Sequence, residues 1–353
     1  MTIRDIAELA HVSVSTVSRS LNGSALVAGR TRERILEIAR EVGFEFNASA
    51  RGLSTNQVGT IGIILPDDYD RLHVHFYHSG FHNYLRRTLE REDLDLIVAF
   101  SRNRFNGGNA VQKLVRRKKV DGLILVLPSL DRETEEFLCE RRVPYVFSHY
   151  PPENERRESD RVYVDHEKGG MLVGRLFARK SFRHVVVFRH RDRLLEFEQR
   201  LDGFRLGFSA VLAGSPAVTE PRASGAAESI CELESCSSFE DGFALASESS
   251  GGLGDADAVF ALNDLMAFGI VQGLRARGLS VPDDVAVVGY DDTPLTPLLR
   301  PRLTTVRQPA EEVAFMTVER LIGAIDDYRN GRPHRPRRIA LEPQLVIRET
   351  CGE

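Results

Sequence analysis

Four histidines between residues 73 and 82 are the first side chains whose type and spacing could bind a metal. His75, His78 and His82 share one face if the segment is helical, and His73 lies nearby. Imidazoles arranged in this way can bind a transition metal. No cysteine or close carboxylate completes a convincing tetrahedral set, so we predict no metal site, and a metal-responsive protein stays an alternative.

The amino-terminal segment carries a different chemistry. Residues 1 to 57 are close to neutral, rich in arginine and free of lysine, and the guanidinium group suits bidentate contacts to phosphate and guanine. In the helix-length stretch from Val14 to Leu21, Val17 and Leu21 point inward on a helical wheel and Arg19 is free to face outward. The segment therefore has the composition of a local DNA-binding module.

Two polar residues stand at the ends of predicted strands. Asn263 follows the apolar run from Ala258 to Leu262, and Asp291 follows the run from Val285 to Val288. The carboxyl ends of parallel strands are where an α/β lobe presents ligand contacts. A plain structural alternative is that both residues cap the segments that follow them.

Enzyme signatures are missing from the sequence. There is no GxGxxG fingerprint, phosphate-binding P-loop, GxSxG elbow or HExxH helix, and no pairing of a nucleophile with a base is evident. We therefore predict a binding protein without a cofactor or catalytic residues.

Length and composition indicate a soluble protein of two or three domains. The chain has 353 residues, of which 42% are hydrophobic and 28% charged, with a net charge of -4. No apolar run approaches the roughly 20 residues that span a bilayer. The amino terminus lacks the apolar core of a signal peptide, and the four cysteines are scattered without metal-ligand spacing. These features predict a cytoplasmic protein that does not bind membranes.

The periodicity of apolar residues changes near residue 59. Before it, three short helices with a tight turn between the first two outline a helix-turn-helix, although any small helical bundle has the same pattern. After it, short apolar runs alternate with helix-length segments, which indicates parallel sheets covered on both faces. The number of units favours two α/β lobes with a ligand between them, and the charged stretch from Pro151 to Arg161 is a candidate crossing between the lobes.

Motifs along the chain resemble those of the lactose-repressor/galactose-repressor (LacI/GalR) family of transcriptional regulators. Residues 3 to 22 are similar to the family's DNA-binding headpiece, and residues 47 to 53, Asn-Ala-Ser-Ala-Arg-Gly-Leu, to its hinge. Further likeness lies in residues 261 to 267, 288 to 292 and 303 to 309. The resemblance implies a helix-turn-helix headpiece joined to a two-lobed core like that of periplasmic binding proteins.

The resemblance assigns DNA contacts to the second helix and the hinge. In the family this helix lies in the major groove, so Val14, Ser15 and Arg19 take the base-reading positions, and Thr16, Ser18 and Asn22 suit phosphates. The hinge helix inserts a leucine into the minor groove, which matches Leu53, with Ala50 leaving room for the partner helix. The other two matching hinge residues are Asn47 and Arg51.

The resemblance also places an effector pocket between the lobes. Arg200, Asn263 and Asp291 match pocket positions, and a guanidinium, an amide and a carboxylate together suit a polyol. The first lobe departs from the family pattern after its first strand, where His73 is a candidate for ligand contact and Phe76 and Tyr77 are candidates for stacking on a sugar face, with a core position as the alternative for either. His149 stands where some members have an aspartate.

These inferences combine into one expected organisation. We predict a headpiece over residues 1–46, a hinge over 47–57 and a core over 58–353, with a first lobe of 58–162 plus 295–326 and a second of 163–294 plus 327–350. The expected function is repression from near-palindromic operator DNA, controlled by a polar effector such as a sugar. No leucine-heptad tail follows Ile347, so a homodimer is expected.

Alternative functions remain open at this stage. A nucleobase-responsive or metal-responsive regulator would have the same architecture. An exported two-lobed sugar-binding protein would share the core, but it has no use for residues 1 to 57 and needs a signal peptide.

Overall fold

The amino-terminal unit is a bundle of three helices with its own core. The computed structural model describes residues 2–21, 26–44, 57–67, 76–153, 157–214, 229–248 and 253–352. The first three helices are α1 (Ile3–Leu9), α2 (Val14–Leu21) and α3 (Gly29–Glu41). They bury Ile6, Val17 and Ile35 against one another.

Two local features shape the turn between α1 and α2. His11 has a φ of 51°, a left-handed conformation that histidine adopts more readily than branched residues. Ser13 caps α2, because its Oγ accepts a hydrogen bond of 3.1 Å from the amide of Thr16. The two helices therefore meet at the tight turn that a helix-turn-helix requires.

The rest of the chain alternates strands with helices, as the sequence predicts. Its first part contains β1 (Thr60–Leu65), α4 (Phe76–Arg91), β2 (Asp95–Phe100), α5 (Ala110–Arg116), β3 (Gly122–Leu125), α6 (Arg132–Glu140), β4 (Tyr145–His149) and β5 (Asp160–Val164). Its middle part contains α7 (His166–Arg179), β6 (His184–His190), α8 (Leu195–Gly214), β7 (Ser229–Ser235), α9 (Phe239–Ser247), β8 (Ala258–Phe260) and α10 (Asp264–Ala276). Its last part contains β9 (Ala286–Asp291), β10 (Thr304–Arg307), α11 (Ala310–Arg329), β11 (Arg338–Leu341) and β12 (Gln344–Val346), followed by a 3-10 turn (Glu349–Cys351).

The strands form two six-stranded sheets, one in each lobe. The first sheet has the order β11-β5-β4-β3-β1-β2 and is parallel throughout. The second has the order β12-β10-β9-β8-β6-β7, in which β12 runs antiparallel to β10. Such sheets are buried by helices on both faces. Of the described helices, none is both long and apolar enough to span a membrane.

The chain crosses between the lobes at other places than the sequence predicts. The stretch from Pro151 to Arg161 is not the first crossing, because β5 begins at Asp160 in the first sheet and the chain crosses after it. Strand β10, assigned to the first lobe, pairs with β9 in the second sheet, and β11, assigned to the second, pairs with β5 in the first. Which sheet a strand joins depends on pairing partners that are distant in sequence. A local sequence pattern does not reveal those partners.

Glycines let two helices of the second lobe approach closely. A Cβ atom at Gly203 of α8 would lie 1.8 Å from the carbonyl oxygen of Glu167 in α7, and one at Gly170 of α7 would lie 1.9 Å from that of Arg200 in α8. The main chains of α7 and α8 are therefore in direct contact. This contact fixes the part of α8 that carries Arg200.

Replacing Gly203 by alanine is expected to destabilise the second lobe. The added methyl group overlaps main-chain atoms, which cannot rotate away, and overpacking of this kind costs about 1–3 kcal/mol. Gly323→Ala in α11 is the matched control, since a Cβ there meets nothing within 4 Å and alanine favours a helix. Urea unfolding of both variants measures the difference, and equal stabilities would contradict the close packing.

Candidate functional site

The exposed face of α2 carries the side chains assigned to base reading. Val14, Ser15 and Arg19 are exposed, whereas Thr16 and Ser18 are partly buried. The hydroxyl of Thr16 lies 2.8 Å from that of Ser13, so it already takes part in capping the helix. The surface of α2 thus offers one cation, one methyl-bearing side chain and small hydroxyls.

Several predicted site residues lie outside the described part of the chain. These are Asn22, Asn47, Ala50, Arg51, Leu53, His73 and the side chain of Phe76. Their roles stay predictions.

A second candidate site is a cavity of about 140 Å³ between the two lobes. The structure brings together four of the predicted residues on its wall: His149 from the first lobe, and Arg200, Asn263 and Asp291 from the second. His149 and Asp291 end strands β4 and β9, and Asn263 lies three residues after β8. The site therefore sits at the carboxyl ends of the strands, where open α/β sheets bind ligands.

Arg200 is the central cation of this cavity. Its side chain is 5% exposed and stacks 3.7 Å above the ring centre of Tyr290. The guanidinium donates to the carbonyl oxygen of Leu262 at 2.6 Å and to Nδ1 of His166 at 3.4 Å. These contacts hold the group with one edge towards Asp291, whose Oδ1 lies 3.9 Å away.

Asp291 is a buried carboxylate beside this cation. Burial raises its pKa to about 6, against the lowering effects of Arg200 and of a hydrogen bond of 2.6 Å from Nε2 of Gln308. The pair of Arg200 and ionised Asp291 has no net charge. Since an uncompensated charge is costly to bury, the cavity fits a neutral polar ligand better than an ion.

The wall of the cavity that belongs to the first lobe is aromatic and includes the predicted residue His149. The ring of His149 lies 5.3 Å from that of Tyr77 and 4.7 Å from that of His78. His149 has a φ of 77° and Asp291 a φ of 116°, backbone conformations that cost a non-glycine residue about 1–3 kcal/mol. Strain of this kind is typical of ligand-binding positions.

Buried polar atoms without a partner converge on the cavity. Within the described residues, Oη of Tyr77 and Oε1 of Gln308 make no hydrogen bond. His166 is neutral, because burial and the nearby Arg200 lower its pKa well below the usual value, and its Nδ1 accepts from Arg200. Its proton is therefore on Nε2, which also has no partner among these residues. Tyr77 and Gln308 line the cavity, so a polar ligand there would supply the hydrogen bonds that their Oη and Oε1 atoms lack, whereas His166 is not part of the lining.

Asn263 has a second role that the sequence left open. Its Oδ1 accepts a hydrogen bond of 2.8 Å from the amide of Met266 and caps α10. The side chain is 8% exposed and lines the cavity as well. Capping and ligand contact are therefore compatible here.

Several residues of the cavity were missed by sequence reasoning. His190 ends β6, so the rule on strand ends would have found it if this strand had been predicted to its end, whereas Gln308 follows β10, a short strand that was not predicted. Glu196 lies one helical turn before Arg200, a spacing visible in the sequence, and burial raises its pKa. Tyr77 is not among the missed residues, because it was a stacking candidate alongside Phe76, and it lines the cavity.

Only part of the histidine cluster, His78 and His82, lies in the described residues. No group of three histidine, cysteine or acidic side chains there could hold a metal ion. His75 lies outside the described residues, and His78 packs against His149 in the cavity wall.

Comparison with family models gives two matches that together span most of the chain. Residues 2–47 match the model of bacterial regulatory proteins of the lacI family, and residues 175–351 match a periplasmic binding protein-like domain. The first match covers the three-helix unit, and the second covers most of the second lobe together with α11 and β11.

Characterised relatives are similar along their whole length. The transcriptional regulator CelR of Thermobifida fusca is 29% identical over 358 residues, which cover 99% of this chain and 98% of CelR. The transcriptional repressor PurR of Vibrio parahaemolyticus is 27% identical over 350 residues, with the same coverage. Both are described as regulators of the helix-turn-helix type.

Solved structures share the architecture. A complex of CelR with cellobiose is 27% identical and covers 99% of both chains with a TM-score of 0.66. The lac repressor dimer bound to operator and the anti-inducer ONPF is 23% identical, with a TM-score of 0.76 over 100% of this chain and 99% of that one. The second likeness shows the fold alone.

Proposed function

Because the chain belongs to the lacI family of bacterial regulatory proteins, we propose that it is a repressor whose operator affinity is set by a neutral sugar bound between its lobes. The family membership makes the chain a DNA-binding transcriptional regulator with an effector-binding domain, and not an enzyme. A regulator of this kind works where the chromosome is, so the proposed location is the cytoplasm. Beyond the family membership, we propose that the protein represses transcription, that its effector is a sugar and that it is a homodimer.

The buried polar cavity is the observation that supports a sugar as the effector. Arg200 and Asp291 compensate each other's charge, while unpartnered polar atoms of Tyr77 and Gln308 point to hydroxyl groups as ligand atoms. Aromatic rings on the first-lobe wall suit the apolar face of a sugar ring. The cellobiose complex of CelR supports a sugar, and the name of PurR supports repression.

The exposed face of α2 supports the DNA-binding part. Arg19 can contact guanine through two hydrogen bonds, Val14 can pack on a thymine methyl group, and Ser15 is short and carries little base preference. Thr16, Ser18 and Asn22 are proposed to contact phosphates. By the same resemblance, Leu53 enters the minor groove, flanked by the hinge residues Asn47, Ala50 and Arg51.

A chain of contacts links the cavity to the segment that leads to the hinge. At the start of α11, Gln308 donates to Asp291 in the cavity. At its end, Arg329 lies 3.5 Å from Asp121, whose two carboxylate oxygens accept from the amides of Val58 and Gly59 at 2.9 and 2.7 Å. We propose that a ligand-dependent change in the angle between the lobes reaches the hinge through this helix.

A homodimer would place one headpiece on each half of a near-palindromic operator. The strand β2 at the edge of the first sheet carries Val98, which is 49% exposed, and Phe243 of the second lobe is 39% exposed. We propose that these two apolar side chains take part in the dimer contact.

Replacing Arg19 by alanine is expected to remove preference for one base pair in each half-site. A duplex selected by the wild-type protein from a randomised library should bind the variant about 10-fold more weakly, since a bidentate contact contributes roughly 1–3 kcal/mol. The salt dependence of binding should barely change, because phosphate contacts remain.

Fluorescence anisotropy with single-base variants of the duplex measures this effect. Arg34→Ala, an exposed arginine on α3, is the control for loss of one charge. If Arg19→Ala keeps the full base preference, α2 does not read DNA as proposed. If the wild-type protein selects no duplex at all, the proposed function is wrong.

A further inference from the structure

Exposed basic residues precede four neighbouring strands of the first sheet. These strands, in the order β11-β5-β4-β3, are all parallel, so the loops that precede them lie along one edge of the lobe. We call eight of the exposed basic side chains of these loops the basic edge: Arg117, Lys118, Lys119, Arg141, Arg142, Arg157, Arg335 and Arg337. The same stretches of chain carry the exposed carboxylates Glu140, Glu153 and Glu158, and a further exposed arginine, Arg332, pairs with Asp327. Cations therefore dominate this edge, although the whole chain has a net charge of -4.

Most of the positive charge of the basic edge is not neutralised by ion pairs within the described part of the lobe. Among the described residues, no ion pair joins Lys118, Lys119 or Arg142 to a carboxylate. By contrast, the buried Asp160 at the same edge is satisfied by Arg320 and His334, which are not part of the basic edge. Because the cations of the basic edge outnumber the nearby carboxylates, they repel one another, and an anionic partner would stabilise the edge.

The position of the basic edge indicates which anionic partner lies close to it. Strand β1 lies beside β3, and the chain enters β1 through Val58 and Gly59, which Asp121 holds at this same edge. The headpiece bundle ends near Phe44, and Gln57 is 13 residues further on, which an extended chain spans in at most about 45 Å. A duplex bound by the headpiece is thus tethered to the side of the core that carries the basic edge.

We propose that the basic edge binds the phosphate backbone of the duplex that flanks the operator. Lysine and arginine side chains in mobile, exposed positions neutralise phosphates without reading sequence. The contact would add affinity that depends on the length of DNA beyond the operator. This inference rests on the proposed function, since it needs a duplex held by the headpiece.

The double variant Lys118→Glu, Lys119→Glu tests the proposal. The matched control is Arg175→Glu, Arg179→Glu, which makes the same change in charge at two exposed positions of α7 in the second lobe. Each protein is titrated with the selected duplex in two lengths, one trimmed to the operator and one extended by random sequence on both sides, at several salt concentrations. Thermal unfolding checks that the variants are folded.

On the extended duplex, the Lys118 and Lys119 variant should bind about 30-fold more weakly than the control at 0.15 M salt. Its salt slope should be smaller by about 1.8, the loss expected for two phosphate contacts. On the trimmed duplex, the two variants should bind alike.

Two results would overturn the proposal. If both variants bind the extended duplex equally, the edge does not contact DNA, and an acidic protein becomes its candidate partner. If the Lys118 and Lys119 variant is weak on the trimmed duplex too, the effect does not come from flanking DNA. Failure of the wild-type protein to bind any selected duplex would instead contradict the proposed function.

Discussion

A variant with methionine in place of Arg200 is expected to lose about 100-fold in affinity for the sugar that the wild-type protein binds best. Methionine keeps the length of the side chain and its packing on Tyr290 and Phe197. It removes the donors to Leu262 and His166 and leaves the carboxylate of Asp291 without its cation. Truncating one partner of a buried charge pair costs about 2–5 kcal/mol, which is the source of the expected loss.

The measurement begins with a thermal-shift panel of neutral sugars, sugar phosphates and nucleobases on the wild-type protein. The sugar with the largest shift is then titrated by calorimetry against both proteins. Arg205→Met is the control on the same helix, where the arginine is partly exposed and pairs with Glu232 and Asp202. Affinities of the Arg200 variant and the control that agree within a factor of about three would place the effector elsewhere.

Replacing Asp291 by asparagine is expected to stabilise the ligand-free protein at neutral and alkaline pH. Burial raises the pKa of Asp291 in the folded protein from its usual 3.8 to about 6. Between these values the folded protein holds a proton that the unfolded chain has released, so stability falls as the pH rises through the window. At about 1.4 kcal/mol per pKa unit, the ionised carboxylate costs about 3 kcal/mol at pH 8 and about half as much at pH 5.

Asparagine removes this cost and can still accept the hydrogen bond from Gln308. Urea unfolding at pH 5 and pH 8 compares the variant with the wild-type protein and with Asp283→Asn, an exposed aspartate of the same lobe. The gain from Asp291→Asn should grow with pH, and that from the control should not. A gain that is constant with pH would show that Asp291 is ionised as easily in the folded protein as in the unfolded chain.

The sequence predicted strands well where both faces are buried. The run from Ile61 to Leu65 is apolar without interruption because helices cover both sides of the sheet, and all of β1 is buried. Strand β5, Asp-Arg-Val-Tyr-Val, was missed because it begins with two charged residues. Both are buried by specific partners: Asp160 pairs with Arg320, and Arg161 donates to the carbonyl oxygens of Tyr150 and Pro128.

The residues of the cavity could be predicted from the sequence only where the ends of the strands could be predicted. Asn263 and Asp291 could be placed at one edge of the second sheet by the rule for parallel sheets, and the family resemblance added His149 and Arg200. Gln308 could not be placed, since the strand before it, Thr304–Arg307, is short and was not predicted to belong to the second sheet. The unpartnered atoms and the raised pKa of Asp291 depend on burial by both lobes, which no local segment encodes.

The three crossings between the lobes determine how this protein can be recombined with its relatives. Neither lobe is a continuous stretch of chain, because the first sheet takes β11 from beyond the residues that form most of the second. A chimera that exchanges one lobe must therefore exchange two separate gene segments, with joints near residues 165, 308 and 342. A single-crossover hybrid would contain a sheet assembled from two parents, whereas the headpiece, joined by one linker, can be exchanged in one piece.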